Sequence, residues 1–314
     1  MCVICGLQRR KGTLLKPPSH LKAVLLALLV TFIWSTSWIF IKIGLAEIPA
    51  MTFAGLRYFL AFLVMLPFLF QKQIRDEVKS LSRHDWLQMA FLGLVYYALA
   101  QGGQFLALAY LPSVTVSLIL NLTTLFVAFS ALVFLNERPS FLQWLGIAMN
   151  LVGMVIYFYP GGFSGGQWLG ILFAIISLGA NIGGAILSRK VNREAKFSPL
   201  MITIVSMGIG STLMLGTGLI TQGIGPIRLQ SWGIILLLAV VNTAFCFTVW
   251  NYILQTLSAT ESSIVNSTML VQIAILAWIF LGERHNLQEI IGLTLTIIGV
   301  AVFQLRIAKK QESS

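Results

Sequence analysis

Long apolar runs, separated by short polar connections, fill the chain from Lys22 to Leu305. Each run is about 20 residues long, which is the length of α-helix that crosses a hydrocarbon core of about 30 Å. Strands of a membrane barrel would instead be about ten residues long and alternate in polarity. The pattern predicts an all-α polytopic membrane protein with ten transmembrane helices, at Lys22–Leu45, Met51–Phe70, Leu87–Tyr110, Val114–Leu135, Phe141–Tyr159, Trp168–Ser188, Leu200–Thr221, Trp232–Leu254, Ser262–Leu281 and Leu287–Leu305.

The composition excludes a water-soluble fold. Hydrophobic residues make up 57% of the 314 positions and charged residues only 10%, and the mean hydropathy is +0.88. A soluble domain carries about 25% charged residues. A soluble fold of this size could not bury so much apolar surface.

One stretch of the sequence occurs twice, in similar form. Leu111–Val155 recurs from Leu257, and equivalent positions differ by a constant 146 residues. The gapless match indicates an internal duplication, with halves of about 145 residues. We predict repeats over 22–160 and 161–306, with tails at 1–21 and 307–314. The matched positions are Trp86 and Trp232, Ser117 and Ser263, Glu137-Arg138 and Glu283-Arg284, Gly146 and Gly292, and Gly153 and Gly299.

Lysine and arginine are distributed unevenly over the connections. With the N-terminus in the cytoplasm, 17 of the 21 fall on the cytoplasmic side. This bias predicts a multi-pass protein of the cell (plasma or inner) membrane with both termini cytoplasmic. The net charge of +11 is spread over separate short loops, so it does not indicate nucleic-acid binding.

Each repeat contains five predicted helices. Because five is odd, the second repeat enters the membrane in the opposite orientation, which gives an inverted-topology repeat. Two inverted halves can expose one central site to either side in turn, as in secondary transporters. The alternative is that duplication only enlarged the helical bundle.

Four phrases carry a resemblance to a known family: TFIWSTSWIFIKIGL, LRYFLAFLVMLP, FLNERPSFLQWLGIAMNLVGMVIY and FLGERHNLQEIIGLTLTIIGVAVF. They resemble EamA-type members of the drug/metabolite transporter superfamily, most specifically in the doubled Leu-x-Glu-Arg block. The resemblance implies ten helices, two inverted five-helix repeats and a central cavity. It also implies transport of amino acids, related metabolites, nucleotide sugars or drugs. Relatives often carry a proline where this chain has Thr124 and Leu270, which removes the usual cause of a kink there.

Polar side chains in the predicted spans are the candidates for substrate binding. Such groups are costly in a membrane unless they face a cavity or a partner. On the third and fourth predicted helices they recur at helical spacing and so share a face. We expect them to converge on one cavity for a neutral or zwitterionic solute, with three aromatic residues as apolar walls. The alternative is that they bond helix to helix. The predicted set is Trp34, Ser37, Tyr97, Gln101, Gln104, Asn121, Asn181, Asn242, Trp250, Asn251, Asn266 and Gln272.

The acidic residues and histidines all fall outside the middle of the predicted spans. A deep proton relay uses such groups, so we expect facilitated diffusion or exchange rather than tight proton coupling. Glu261, at the cytoplasmic edge of the ninth helix, is the candidate if coupling exists. Glu137-Arg138 and Glu283-Arg284 are expected to anchor helix ends and form gate salt bridges. Lys42 and Arg57, near outer helix ends, either extend to the interface or attract an anionic group.

The predicted function is secondary transport of a small polar metabolite, with export of amino acids or related compounds preferred. A drug-efflux carrier would favour an acidic residue in the cavity, which the spans lack. A non-transport scaffold or sensor is the remaining alternative. The predicted partners are a small solute and the lipid bilayer, without nucleic acid; a homodimer stays open.

Enzyme, cofactor and metal chemistry lack the residues they need. An intramembrane enzyme requires a nucleophile with a base, or metal ligands. Cys246 is the only thiol in the predicted spans, and Cys2 and Cys5 form an isolated pair, too few ligands for zinc. The sequence also lacks a glycine-rich phosphate loop, so an ATP-driven pump is not expected.

Overall fold

The structure is a computed structural model that describes residues 19–134, 141–158, 165–193, 196–253, 256–257 and 259–312. It is 88% helical, and the described part contains no β-strand. A 3₁₀ turn at Leu66–Phe70 extends the second helix. The α-helices are α1 His20–Gly44, α2 Ala50–Met65, α3 Lys72–Lys79, α4 Arg83–Leu92, α5 Ala100–Tyr110, α6 Ser113–Phe134, α7 Phe141–Phe158, α8 Gly165–Arg193, α9 Pro199–Thr221, α10 Leu229–Leu237, α11 Cys246–Ile253, α12 Ala259–Leu281 and α13 Leu287–Glu312.

Five helical stretches are long and apolar enough to cross a membrane, as judged over the described residues. They are His20–Gly44, Ala50–Phe70, Arg83–Tyr110, Gln167–Ser188 and Leu200–Thr221. Together they support a multi-pass membrane protein. Shorter apolar helices occupy the places of the other predicted spans, at Ser113–Thr123, Trp144–Phe158, Leu229–Phe245, Val265–Leu281 and Leu287–Val302.

Two π-helical segments join α4 to α5 and α10 to α11, at Gly93–Leu99 and Leu238–Phe245. Adding 146 to the first range reproduces the second to within one residue, so both repeats contain the same irregularity. The apolar pattern predicts uninterrupted helices here. Close packing accompanies the first segment, because a Cβ on Gly210 of α9 would overlap the Gly93 carbonyl. π-helical turns are rare and often occur at functional sites.

A contact between the repeats has a counterpart in which each residue is replaced by the equivalent residue of the other repeat. The Thr52 hydroxyl donates to the Gly223 carbonyl at 2.8 Å. Adding 146 to the first residue and subtracting it from the second gives Ser198 and Glu77, whose side chains hydrogen-bond at 2.6 Å. The exchange is what a pseudo-two-fold axis between two copies produces, and it confirms the duplication.

That axis passes through the crossing of α7 and α13. The Asn150 amide donates to the Thr296 carbonyl at 3.4 Å, and these two positions are themselves 146 residues apart. Glycines allow the close approach, since a Cβ on Gly153 would lie 2.6 Å from the Gly292 carbonyl oxygen.

Polar contacts tie the connection around α3 to the connection before α9. Asp85 caps α4 together with Ser82 and accepts from the Lys196 ammonium at 2.6 Å. Glu77 of α3 accepts from the Ser198 backbone at 2.9 Å. Partial burial raises the pKa of Glu77, but hydrogen bonds from Ser198 and Gln73 outweigh it and leave the pKa below its usual value. Both contacts join the two repeats at one end of the molecule.

Candidate functional site

A polar cavity of about 240 Å³ lies between α1, α5, α6, α8 and α12. Helices from both repeats therefore build this one cavity. Its lining mixes amide and hydroxyl groups with apolar side chains, and none of the described lining residues is charged. The lining residues are Trp38, Gln104, Ser117, Leu120, Asn121, Thr123, Asn181, Asn266, Met269, Leu270 and Ile273.

Four of the predicted substrate-binding residues meet in this cavity: Gln104, Asn121, Asn181 and Asn266. They come from four different helices, so only the tertiary packing brings them together. Sequence reasoning missed Trp38, although it follows Trp34 by one helical turn. It also missed Thr123, which lies off the face defined by the polar residues of its helix.

Two cavity oxygens are buried without a hydrogen-bond partner among the described residues. They are Oδ1 of Asn121 and Oγ1 of Thr123. A buried polar atom without a partner is costly, so a polar solute or water that bonds these oxygens would be bound favourably. Asn181 is already engaged, because its amide donates to the Ser177 carbonyl at 2.9 Å. The cavity can therefore offer both free acceptors and pre-oriented amides to a neutral or zwitterionic molecule.

A second group of predicted residues forms hydrogen bonds between α1 and the second repeat. The Trp34 indole N–H donates to the Asn242 carbonyl at 2.9 Å, and the Asn242 amide donates to the Ile33 carbonyl at 2.5 Å. The Ser35 hydroxyl donates to Gln272 Oε1 at 2.9 Å. These are the helix-to-helix bonds of the alternative interpretation.

Aromatic packing accounts for other predicted residues. The rings of Trp34 and Trp250 lie 5.1 Å apart. Tyr97 packs on Tyr58 at 5.9 Å, and the Tyr58 hydroxyl donates to Gln101 Oε1 at 2.7 Å. The π-helical segment ends just before Gln101 and changes the phase of the helix. Tyr97 and Gln101 both contact Tyr58, while Gln104 lines the cavity.

The remaining predicted residues lie apart from the cavity or outside the described part. The Ser37 hydroxyl donates to the Trp34 carbonyl at 2.5 Å, within its own helix. Arg284 is exposed. The side chains of Asn251 and Glu261, and all of Glu137 and Arg138, lie outside the described residues.

The turn between α5 and α6 is held by two charged residues. Lys42 of α1 donates from Nζ to the carbonyls of Leu108 and Leu111, at 2.6 and 2.7 Å. Glu283 reaches from the α12–α13 connection and accepts from the Ser113 backbone N–H at 2.8 Å. A cation at the end of α5 and an anion at the start of α6 are both favoured by the helix dipoles. Glu283 thus links the second repeat to the first near one end of the cavity.

A larger cavity of about 440 Å³ has a different character. It lies between α2, the α3–α4 region and α9, and almost all of its lining side chains are apolar, including Phe62, Trp86 and Leu213. Such a lining favours contact with hydrocarbon chains and offers a polar solute few hydrogen bonds. The candidate solute site is therefore the smaller, polar cavity.

Comparison with known protein families identifies the family of this chain. The model of the EamA-like transporter family matches the chain twice, over residues 21–159 and 166–305. The chain belongs to the EamA-like transporter family. The family and the named relatives are transporters, which confirms the resemblance and the expectation of a transporter rather than an enzyme.

Relatives of this EamA-like chain extend over most of its length. An uncharacterized transporter of Archaeoglobus fulgidus is 27% identical, covering 89% of this chain and 96% of its own. The S-adenosylmethionine/S-adenosylhomocysteine transporter of Chlamydia muridarum is 25% identical, covering 83% and 85%. A probable amino-acid metabolite efflux pump of Salmonella typhimurium is 25% identical, covering 90% and 96%.

A solved crystal structure of a protein has the same fold. It superposes with a TM-score of 0.66 at 17% identity, covering 90% of this chain and 98% of that chain.

Proposed function

We propose that this EamA-like chain is a secondary carrier that exports small polar metabolites, either amino acids or related compounds. The observation that carries the proposal is the polar cavity between the two repeats. It offers Asn121, Asn181, Gln104 and Asn266 to a solute, and its described lining has no acidic residue. A lipophilic cation, the usual substrate of a drug-efflux carrier, would lack a counter-charge there.

The transport mechanism we propose is alternating access. Ten helices in two inverted five-helix repeats would cross the cell membrane, with both termini in the cytoplasm. Because the repeats exchange equivalent contacts, a conformation of one repeat can in principle be adopted by the other. Exchanging the two conformations would move the opening of the cavity from one side to the other.

Transport without obligatory protons is part of the proposal. Among the described residues, no carboxylate or histidine lines the cavity. Facilitated diffusion or exchange therefore accounts for the chemistry of the site better than a buried proton relay does.

Counterflow in proteoliposomes tests the proposal. Vesicles are preloaded with a pool of unlabelled amino acids, and uptake of labelled amino acids is followed with and without a pH gradient. We expect uptake in both conditions and none in protein-free vesicles. Uptake only with a gradient would contradict the uncoupled mechanism and direct attention to Glu261. Absence of uptake for every amino acid would contradict the substrate class and favour other metabolites or a scaffold.

A further inference from the structure

Arg57 is a buried cation in the middle of a membrane-capable helix. It lies seven residues after Ala50, the first residue of α2, which places it about 10 Å along the helix. Only 6% of its surface is exposed. Its side chain therefore does not extend to the interface, which was one of the two expectations from the sequence.

The guanidinium has no hydrogen-bond acceptor and no acidic partner among the described residues. Its Nε is buried and unpaired. Two described acids are used elsewhere: Glu47 pairs with Arg228 at 3.1 Å, and Glu283 accepts from the Ser113 backbone N–H at 2.8 Å. An arginine carries five N–H donors and stays protonated, so burial without an acceptor is unfavourable.

Two aromatic rings lie next to the Arg57 guanidinium. The guanidinium carbon lies 5.1 Å from the centre of the Tyr58 ring and 6.0 Å from that of Phe105. Such contacts stabilise a cation but leave the buried Nε without an acceptor among the described residues. The charge is held in position and remains without a counter-ion.

The position of Arg57 connects it with the solute cavity. Phe105, whose ring it approaches, directly follows the cavity residue Gln104 in α5. Gln104 lies six residues before the end of α5, which is about 9 Å along that helix and similar to the distance of Arg57 from the start of α2. Arg57 does not line the cavity itself. It lies against α5, the helix that contributes Gln104 to the cavity.

We propose that Arg57 binds the carboxylate of the transported solute. This inference rests on the proposed function and narrows its substrate class to molecules that carry a carboxylate. A guanidinium matches a carboxylate in a planar, two-bond geometry. One buried cation balances one negative charge, whereas a phosphate monoester would leave excess negative charge in an otherwise neutral region. The amides of the cavity would then bind the remaining polar groups of the solute.

Thermal unfolding of the purified protein in detergent tests the anion site directly. Potassium acetate is compared with equimolar potassium chloride plus acetamide, the neutral analogue of acetate. We expect acetate to raise the Tm saturably, by about 2 °C or more, because it binds only the folded state. Arg57→Gln should abolish the difference. The matched control is Arg228→Gln, which removes an 81% exposed arginine side chain and should leave the acetate response intact.

Stability without ligand separates this role from a structural one. Removing an unpaired buried charge should leave the Tm of Arg57→Gln equal to or above that of the wild type. A marked loss of stability would assign Arg57 to helix packing through the aromatic contacts and overturn the proposal. An equal acetate response in the wild type and Arg57→Gln would also overturn it.

The transport readout uses amino acids and the corresponding amino-acid amides as competitors in counterflow. In the wild type, the acids should compete at least about tenfold better than the amides, and Arg57→Gln should reduce this ratio below about twofold. Arg57→Lys keeps the charge without the two-bond geometry, so an unchanged ratio in that variant contradicts the proposal. If the wild type moves no amino acid, the proposed function fails, and the acetate response alone decides the anion site.

Discussion

Single polar residues in the helices differ in whether their polar atoms are already used. Trp34, Asn242 and Gln272 are bonded to neighbouring helices, whereas oxygens of Asn121 and Thr123 have no partner among the described residues. Only the second kind gains a hydrogen bond when a solute arrives. The sequence identified Asn121 because amides are rare in apolar helices. It could not separate it from Asn242, since the distinction depends on which helix lies opposite.

Replacing Asn121 should impair binding without impairing folding. Asn121→Leu keeps most of the volume but removes the unpaired oxygen and the amide. We expect the KM for counterflow to rise about tenfold, the equivalent of one hydrogen bond of about 1.4 kcal/mol, while the Tm stays level or rises. Ser211→Ala is the matched control, because this buried hydroxyl in α9 bonds within its own helix. A level KM in Asn121→Leu would place the solute elsewhere.

Lys42 should behave in the opposite way, as a stabilising residue. Lys42→Met keeps the apolar stem but leaves the carbonyls of Leu108 and Leu111 without their donor. We expect the free energy of unfolding to fall by about 1–3 kcal/mol, measured as a lower Tm in detergent. The exposed Lys72→Met should have no effect. An undiminished Tm in Lys42→Met would mean that other groups can satisfy these carbonyls.

At the scale of elements, the sequence predicted where helices occur but not how their geometry varies. Apolar runs mark the helices because burial and lipid contact both favour apolar side chains. The π-helical segments at Gly93–Leu99 and Leu238–Phe245 have no apolar period of their own. Their direct contacts with other helices, as at Gly210, arise only in the folded molecule. The expectation that Tyr97, Gln101 and Gln104 share one face therefore stays a prediction.

The close crossing of α7 and α13 depends on glycines, which have no side chain, at the contact. A Cβ at Gly153 would lie 2.6 Å from the Gly292 carbonyl oxygen, and one at Gly292 would lie 2.6 Å from the Tyr157 nitrogen. Gly153→Val should force the helices apart and lower the free energy of unfolding by about 1–3 kcal/mol, seen as a lower Tm. Gly216→Ala provides the control, because a Cβ there meets no atom within 4 Å. Equal Tm values for the two variants would contradict this crossing.

At the scale of the whole molecule, the duplication is the feature that the sequence predicted best. The constant spacing of 146 residues indicated equivalent positions, and the contacts Thr52–Gly223 and Glu77–Ser198 exchange under it. The polar cavity between the repeats could not be located from the sequence, since four helices contribute one amide each. For Arg57 the sequence left both interpretations open, because distance along a helix does not report which neighbours cover a side chain.

Inverted topology makes a prediction that parallel repeats do not share. Lys79 and Gly225 are 146 residues apart, and both are exposed in the connections of their repeats. An odd number of membrane crossings separates equivalent positions of inverted repeats, so these two must lie on opposite sides of the membrane.

In a chain with Cys2, Cys5 and Cys246 replaced by alanine, Lys79→Cys and Gly225→Cys are introduced one at a time. A membrane-impermeant maleimide should label Gly225→Cys in intact cells and Lys79→Cys only after permeabilisation. Each variant controls for the other, since both thiols should react in detergent. Labelling of both variants in intact cells, or of neither, would require an even number of crossings between them and would exclude the five-plus-five arrangement.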